Sequence, residues 1–212
     1  MLPSSTARAA SAVEGIDVAG STVDWVGVKA KGVVFAYIKA TEGRSASSAF
    51  GRLNSGVTST DLFHGAYHVP VADAGSAVDQ ANYFVDHGGA WTAEGGHTLP
   101  GAVLLQDKKC FGISPEAMVR WLKDFSNTYR TRSQRPPVIA TTTEWWQDCT
   151  GNSADFGSVN PLWTLHSGSS ADPVHTDWTD TFTQYAVSGA NRGADRFNGD
   201  QAALERFAGQ WM

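Results

Sequence analysis

Hydrophobic positions along this chain fall into short, strand-length runs separated by stretches in which apolar residues recur every three or four positions. The run VEGIDVAG (Val13–Gly20) predicts a strand ending in a turn, and VVFAYIKATEG (Val33–Gly43) a second. Phe63–Val71, Pro100–Asp107, Pro136–Thr143, Pro161–Gly168 and Thr181–Val187 continue the series. Runs that are apolar on both faces are what parallel strands buried under helices require. Between them, Ser114 is placed to cap a helix with Pro115 in its first turn, where a missing N–H costs nothing. Met118, Trp121, Leu122, Phe125 and Tyr129 then form one apolar face. A second helix is expected from Ala74 to His87, with Ala77, Ala81 and Phe84 pointing inward. The last is expected to start at Asp200 and to bury Leu204, Phe207, Ala208 and Trp211. Strand–helix alternation without a repeat, linker or low-complexity segment predicts an α/β fold, a single parallel β/α barrel trimmed from the usual ~250 residues.

Composition agrees and narrows the partners. With 212 residues, 42% of them hydrophobic, the chain can bury the core of one domain, or at most two small ones. Residues 1–12 are expected to be a flexible segment ahead of one domain over 13–212. The net charge of -5 is scattered along the chain, so there is no basic stripe for nucleic acid. The longest apolar runs, such as Val33–Ile38, are too short to span a bilayer. Cys110 and Cys149 can pair with each other or remain two buried thiols, and two cysteines are too few for a metal site on thiolates alone. The opening MLPSSTARAASAVEG lacks the apolar core of a secretory signal and fits either a mature chain with an added Met or a leaderless protein.

Barrel enzymes place their working groups at the carboxyl ends of strands. Those ends carry Asp17, then Glu42, then Tyr67 and His68, then Gln106, and Asp195 stands in GADRFNGD before the final helix. Carboxylates converging on one mouth repel unless they bind a cation, share protons or do acid–base work. The plainer alternative is that Asp17 and Asp195 accept backbone N–H bonds in turns. Lys39 reads as the ion-pair partner of a neighbouring carboxylate. His68 reads more readily as a satisfied structural histidine than as a base, and His87, His97 and His175 lack the spacing of metal ligands. No metal and no organic cofactor is implied.

The segments GIDVAGSTVDW, FAYIKATEG, GAYH, QANYFVDHGG, LPGA, TTTEWW, CTGNS and RFNGD, in this order, resemble glycoside hydrolase family 25, the lysozymes of the N,O-diacetylmuramidase type, and secreted fungal members in particular. The resemblance runs from Val13 to Trp211. It implies a lysozyme-like modified β/α barrel with a groove for peptidoglycan, secretion, and a bridge between Cys110 and Cys149 with Trp145 and Trp146 packed around it. It also implies catalytic roles for an Asp ending the first strand, matched by Asp17, and for a further Asp near the last strand, matched by Asp195. The family's Asp-x-Glu at the end of the fourth strand is not matched, because Leu104-Leu105-Gln106 stands in its place. Alternation sets Leu104 and Gln106 on the same side of the strand, so both acids are replaced together. A carboxamide has no proton to give a glycosidic oxygen, and general acid–base catalysis is worth ~100- to 10,000-fold per group. Asp107 points to the other face unless a bulge rotates it.

Further departures from the family pattern fall at Val69, at Ala140, at Thr183, and near His166 and Ser167, where groove aromatics or an arginine–tyrosine pair are usual. The expected pocket comprises Asp17, Glu42, Tyr67, His68, Leu104, Gln106, Ala140, Thr183, Gln184 and Asp195, with a floor more apolar at Leu104 and roomier at Ala140 and Thr183. These residues predict a secreted, monomeric lysozyme-like protein that has lost efficient muramidase activity. It would bind a peptidoglycan or chitin-like glycan, or a small molecule, without hydrolysis. One alternative is a repurposed enzyme that turns Asp17, Glu42, His68 and Asp195 on a smaller, less polar substrate. Another is an active muramidase using other acids.

Overall fold

The computed structural model describes residues 13–20, 22–106, 110–165, 174–187 and 192–209. Strands β1 (Val13–Val18), β2 (Phe35–Glu42), β4 (Phe63–Val69), β5 (Ala102–Leu105), β6 (Val138–Thr141), β7 (Leu162–Thr164) and β8 (Asp180–Val187) are parallel neighbours in that order, while β3 (Ser45–Ala46) folds back on the end of β2. The ring is closed by β9 (Arg192–Phe197), which runs antiparallel to both β8 and β1. The barrel is therefore mixed, not all parallel. GADRFNGD, read above only as a lead into the final helix, supplies most of the closing strand. Its inward positions are Gly193, Asp195 and Phe197, a series with no apolar periodicity for a sequence reading to catch.

Among the described residues six α-helices surround the ring: α1 (Trp25–Ala30), α2 (Phe50–Thr58), α3 (Ala77–Phe84), α4 (Pro115–Ser133), α5 (Thr143–Thr150) and α6 (Gln201–Gly209). In α4, Ser114 accepts from the Ala117 N–H and Pro115 fills the first turn. Of its predicted face, Met118, Leu122, Phe125 and Tyr129 are buried and Trp121 is half-buried. The helix expected from residue 74 starts later because Ser76 and Asp79 form a reciprocal capping box. It passes into a wide turn over Val85–Gly89 in which Gly88 is left-handed. Helices α1, α2 and α5 have no counterpart in the pattern reading. They are six to nine residues long, short enough that packing rather than propensity sustains them. Asp107, His166, Ser167, Trp211 and residues 1–12 lie outside the described residues.

Alternation along each strand sorts side chains between two cores. Outward residues Val103, Leu105, Ile139 and Leu162 pack with Phe84, Met118, Leu122, Phe125 and Trp146 of α3, α4 and α5. Ile16, Val18, Ala36 and Ile38 pack against Trp25, Leu53 and Val57. Inside the barrel, Phe35, Phe182, Phe197 and Phe207 of α6 fill the end opposite the mouth. Above them Tyr37 lies against Trp163, ring centroids 4.9 Å apart, and its hydroxyl donates to the Pro100 carbonyl. Gly65 makes room for that ring, since a Cβ there would sit 2.4 Å from Tyr37 Cε1.

The Cys110–Cys149 disulfide joins the segment after β5 to α5, with Trp145 and Trp146 buried in the same core. It closes a sequence separation of 39 residues, for which the chain-entropy model gives about 4 kcal/mol. Replacing both cysteines with alanine is expected to lower Tm by roughly 8–15 °C. A calorimetric scan with an unchanged Tm would show that the bridge does not support the fold.

Candidate functional site

The mouth of the barrel is formed by the carboxyl ends of the parallel strands together with the start of β9. Register places Asp17 of β1 opposite Gly193, and Asp195 opposite both Gly15 and Gln184. The Gln184 amide donates to Asp17 Oδ1 at 2.6 Å, and the Trp163 indole donates to Asp195 Oδ1 at 3.1 Å. Asp17 keeps 7% of its surface exposed and Asp195 none. The carboxyl group of Asp17 lies against the backbone of β9. A Cβ built on Gly193 would come 1.7 Å from Asp17 Oδ1 and 2.4 Å from Gln184 Nε2, so glycine is required there for the carboxyl group to occupy its place.

Two buried carboxyl groups in contact cannot both be charged cheaply. Burial raises the pKa of Asp17, while hydrogen bonds from Gln184 and Asp195 oppose the rise. Asp195 is pushed well above the ordinary carboxylate range, by burial first and then by the charge on Asp17. Asp195 is thus the partner that holds its proton more tightly. Its Oδ2 is buried with no hydrogen-bond partner. Tyr67 stays a neutral phenol, held so by burial and then by Asp17, Asp195 and Glu42. At the rim, the Lys39 ammonium donates to Glu42 at 2.5 Å.

Of the residues expected in the pocket, Asp17, Gln184, Asp195 and Tyr67 gather in this cluster. Glu42 stands at the rim, paired with Lys39 as anticipated for that lysine. Leu104 faces the barrel interior as part of its apolar wall, and Gln106 is exposed just beyond β5. Three expected residues are elsewhere. His68 points outward, between β4 and the helix layer. Its Nδ1 accepts from the Thr41 hydroxyl at 2.7 Å, its Nε2 donates to Gln80 Oε1 at 3.2 Å, and its ring stacks on Phe125. Burial lowers its pKa to about 4, so it is a neutral structural histidine rather than a base at the mouth. Thr183 lies on the face of β8 opposite Phe182 and Gln184, where it accepts from the Asn198 amide. Ala140 is fully enclosed between Leu104 and Trp163 and adds no room to the mouth. The strand reading missed Trp163 and Gly193, although alternation in PLWTL already turns Trp163 to the same side as Leu165. Among the described residues no group of three or more His, Cys, Asp or Glu side chains could hold a metal ion, and no helix is long and apolar enough to cross a membrane.

Because Asp195 holds its proton more tightly folded than unfolded, stability is greatest below the unfolded carboxyl pKa and falls as pH rises toward the folded value. Each pH unit within that window removes up to about 1.4 kcal/mol. Asp195→Asn keeps an acceptor for Trp163 and a permanent donor for Asp17. Its Tm is expected to exceed wild type by a margin that widens from pH 4 to pH 8, and a constant or negative margin would contradict the raised pKa of Asp195. Gly193→Ala is expected to destabilise the fold by at least about 1–3 kcal/mol through overpacking, measured by urea titration.

A family model described as glycosyl hydrolases family 25 matches residues 16–194. The chain is 38% identical to an N,O-diacetylmuramidase of Arthroderma benhamiae, across 94% of this chain and 88% of that one. It is 35% identical to an N,O-diacetylmuramidase of Chalaropsis, across 92% and 99%. The structure superposes on a muramidase from Acremonium alcalophilum with a TM-score of 0.87 and 40% identity, covering 93% of this chain and 99% of that one. By sequence and by fold, the chain belongs to glycosyl hydrolase family 25.

Proposed function

We propose that this protein is a secreted, monomeric member of the family that binds a peptidoglycan or chitin-like glycan at the barrel mouth without efficiently hydrolysing it. The observation that carries this reading is the end of β5, where Leu104 forms apolar wall and Gln106 follows, with no carboxyl group in either side chain. Glycoside hydrolysis needs two carboxyl groups flanking the bond, about 5–5.5 Å apart for retention or about 6.5–9.5 Å apart for inversion. Asp17 and Asp195 are both buried in one cluster with Gln184 and Trp163, and burial raises the pKa of each, which does not suit them to stand as a pair on opposite sides of a substrate. Glu42 is engaged by Lys39 at the rim. Leu104 can neither orient water nor receive a proton, and the amide of Gln106 cannot protonate a leaving oxygen. Secretion is supported by the disulfide, since such bonds persist in oxidising compartments.

The purified protein is expected to leave bacterial cell-wall suspensions turbid under conditions in which an active family member clears them, and clearing at a comparable rate would overturn the proposal. Leu104→Asp combined with Gln106→Glu should raise lytic activity by at least about 100-fold if only the acids are missing.

A further inference from the structure

We infer that the barrel carries a second saccharide site at the end opposite the mouth, in an open groove of about 580 Å³ that takes one or two sugar rings. The groove shares none of the residues gathered at the mouth. It is built by the turns that feed the strands. Val33 and Val34 lead into β2, Asp61 and Leu62 lead into Phe63 of β4, and Gly95–His97 stand ahead of β5. Gln201 and Glu205, one turn apart on α6, form the remaining wall. Such a volume, with an apolar floor and a few polar groups around it, is within the range of small-molecule sites, about 300–1,000 Å³.

The lining complements both the C–H face and the hydroxyl edge of a pyranose. Val33, Val34 and His97 are half-buried, so each keeps surface against which a C–H face can pack. The His97 ring is fixed for that contact. It lies against Phe63, ring centroids 4.9 Å apart, and its Nδ1–H donates to the Gly95 carbonyl at 2.7 Å. Beside it the backbone is bare, since a Cβ on Gly95 or Gly96 would meet no atom within 4 Å. The rim is made of acceptors. Glu205 uses one oxygen on the Gln201 amide at 3.2 Å, and Asp61 uses one on Lys29 at 3.8 Å, which leaves each carboxylate a second oxygen. Lys29, the only lysine or arginine of the lining, is also engaged by the Thr60 carbonyl. Anionic ligands are therefore repelled by the rim, and an alkyl chain would leave the carboxylates without donors. Sugar hydroxyls satisfy them through charge-assisted O–H bonds, the stronger class. Where the mouth also holds a glycan, two sites at opposite ends of the barrel attach the protein to two strands, the second attachment being intramolecular.

The test is amide NMR of the isotope-labelled protein titrated with an N-acetylglucosamine tetrasaccharide, and with tetra-alanine as the comparison. The Gly95, Gly96 and Gln201 amides are expected to shift and saturate with the sugar and to stay in place with the peptide. Glu205→Gln, an exposed and nearly isosteric change, should weaken the affinity read from those amides about tenfold or more, with the Gly193 amide at the mouth responding as in wild type. His97→Ala should weaken it too, with Tm measured alongside to show that the fold is kept. Absence of shifts at the three amides, indifference to Glu205→Gln, or equal shifts with tetra-alanine would overturn the inference. Shifts confined to Gly193 and its neighbours would overturn it as well and leave the mouth as the glycan site. Shifts confined to the groove would uphold it and count against the mouth.

Discussion

Closing a sheet into a barrel forces the last strand to fit between its neighbours, and here β9 does so antiparallel to both. That fit brings the carboxyl group of Asp195 against the carboxyl group of Asp17 from the first strand, in a place nearly without water. Everything at the mouth follows from how the contact is made tolerable. Burial raises the pKa of both acids, Asp195 the more, Gln184 and Trp163 each donate to one of them, and position 193 carries no side chain. Below this layer Tyr37 stacks on Trp163, and below that the phenylalanines close the far end with α6. The polar cluster thus lies over an aromatic column.

This arrangement bears directly on chemistry. A family member working as a muramidase needs carboxyl groups with different tasks, separated by the width of a glycosidic bond. Among the described residues, Asp17 and Asp195 are gathered in one buried cluster with Gln184 and Trp163, while β5 ends in Leu105 with Gln106 following it.

The bare pattern of apolar runs located seven strands of the barrel and three of its helices, because buried parallel strands and long amphipathic helices imprint their periodicity strongly. It passed over β9 for the opposite reason, since a strand whose inward side chains are glycine, aspartate and phenylalanine has no period to read. The short helices α1, α2 and α5 escaped likewise, their stability coming from the surfaces they cover. At the site, the resemblance to the family marked Asp17 and Asp195 and drew attention to Leu104 and Gln106, and simple alternation set the last two on one side of a strand.

Residue types and their order were enough to point to the barrel and the family, since these depend on local periodicity and on chemistry carried by single side chains. Which face each neighbouring residue takes was decided only by the folded chain. His68 follows Tyr67 yet turns toward Phe125, and Thr183 precedes Gln184 yet points away from Asp17, because adjacent strand positions belong to opposite surfaces. The meeting of residues 17 and 195 is likewise a property of barrel closure, which joins parts of the chain that no local pattern connects.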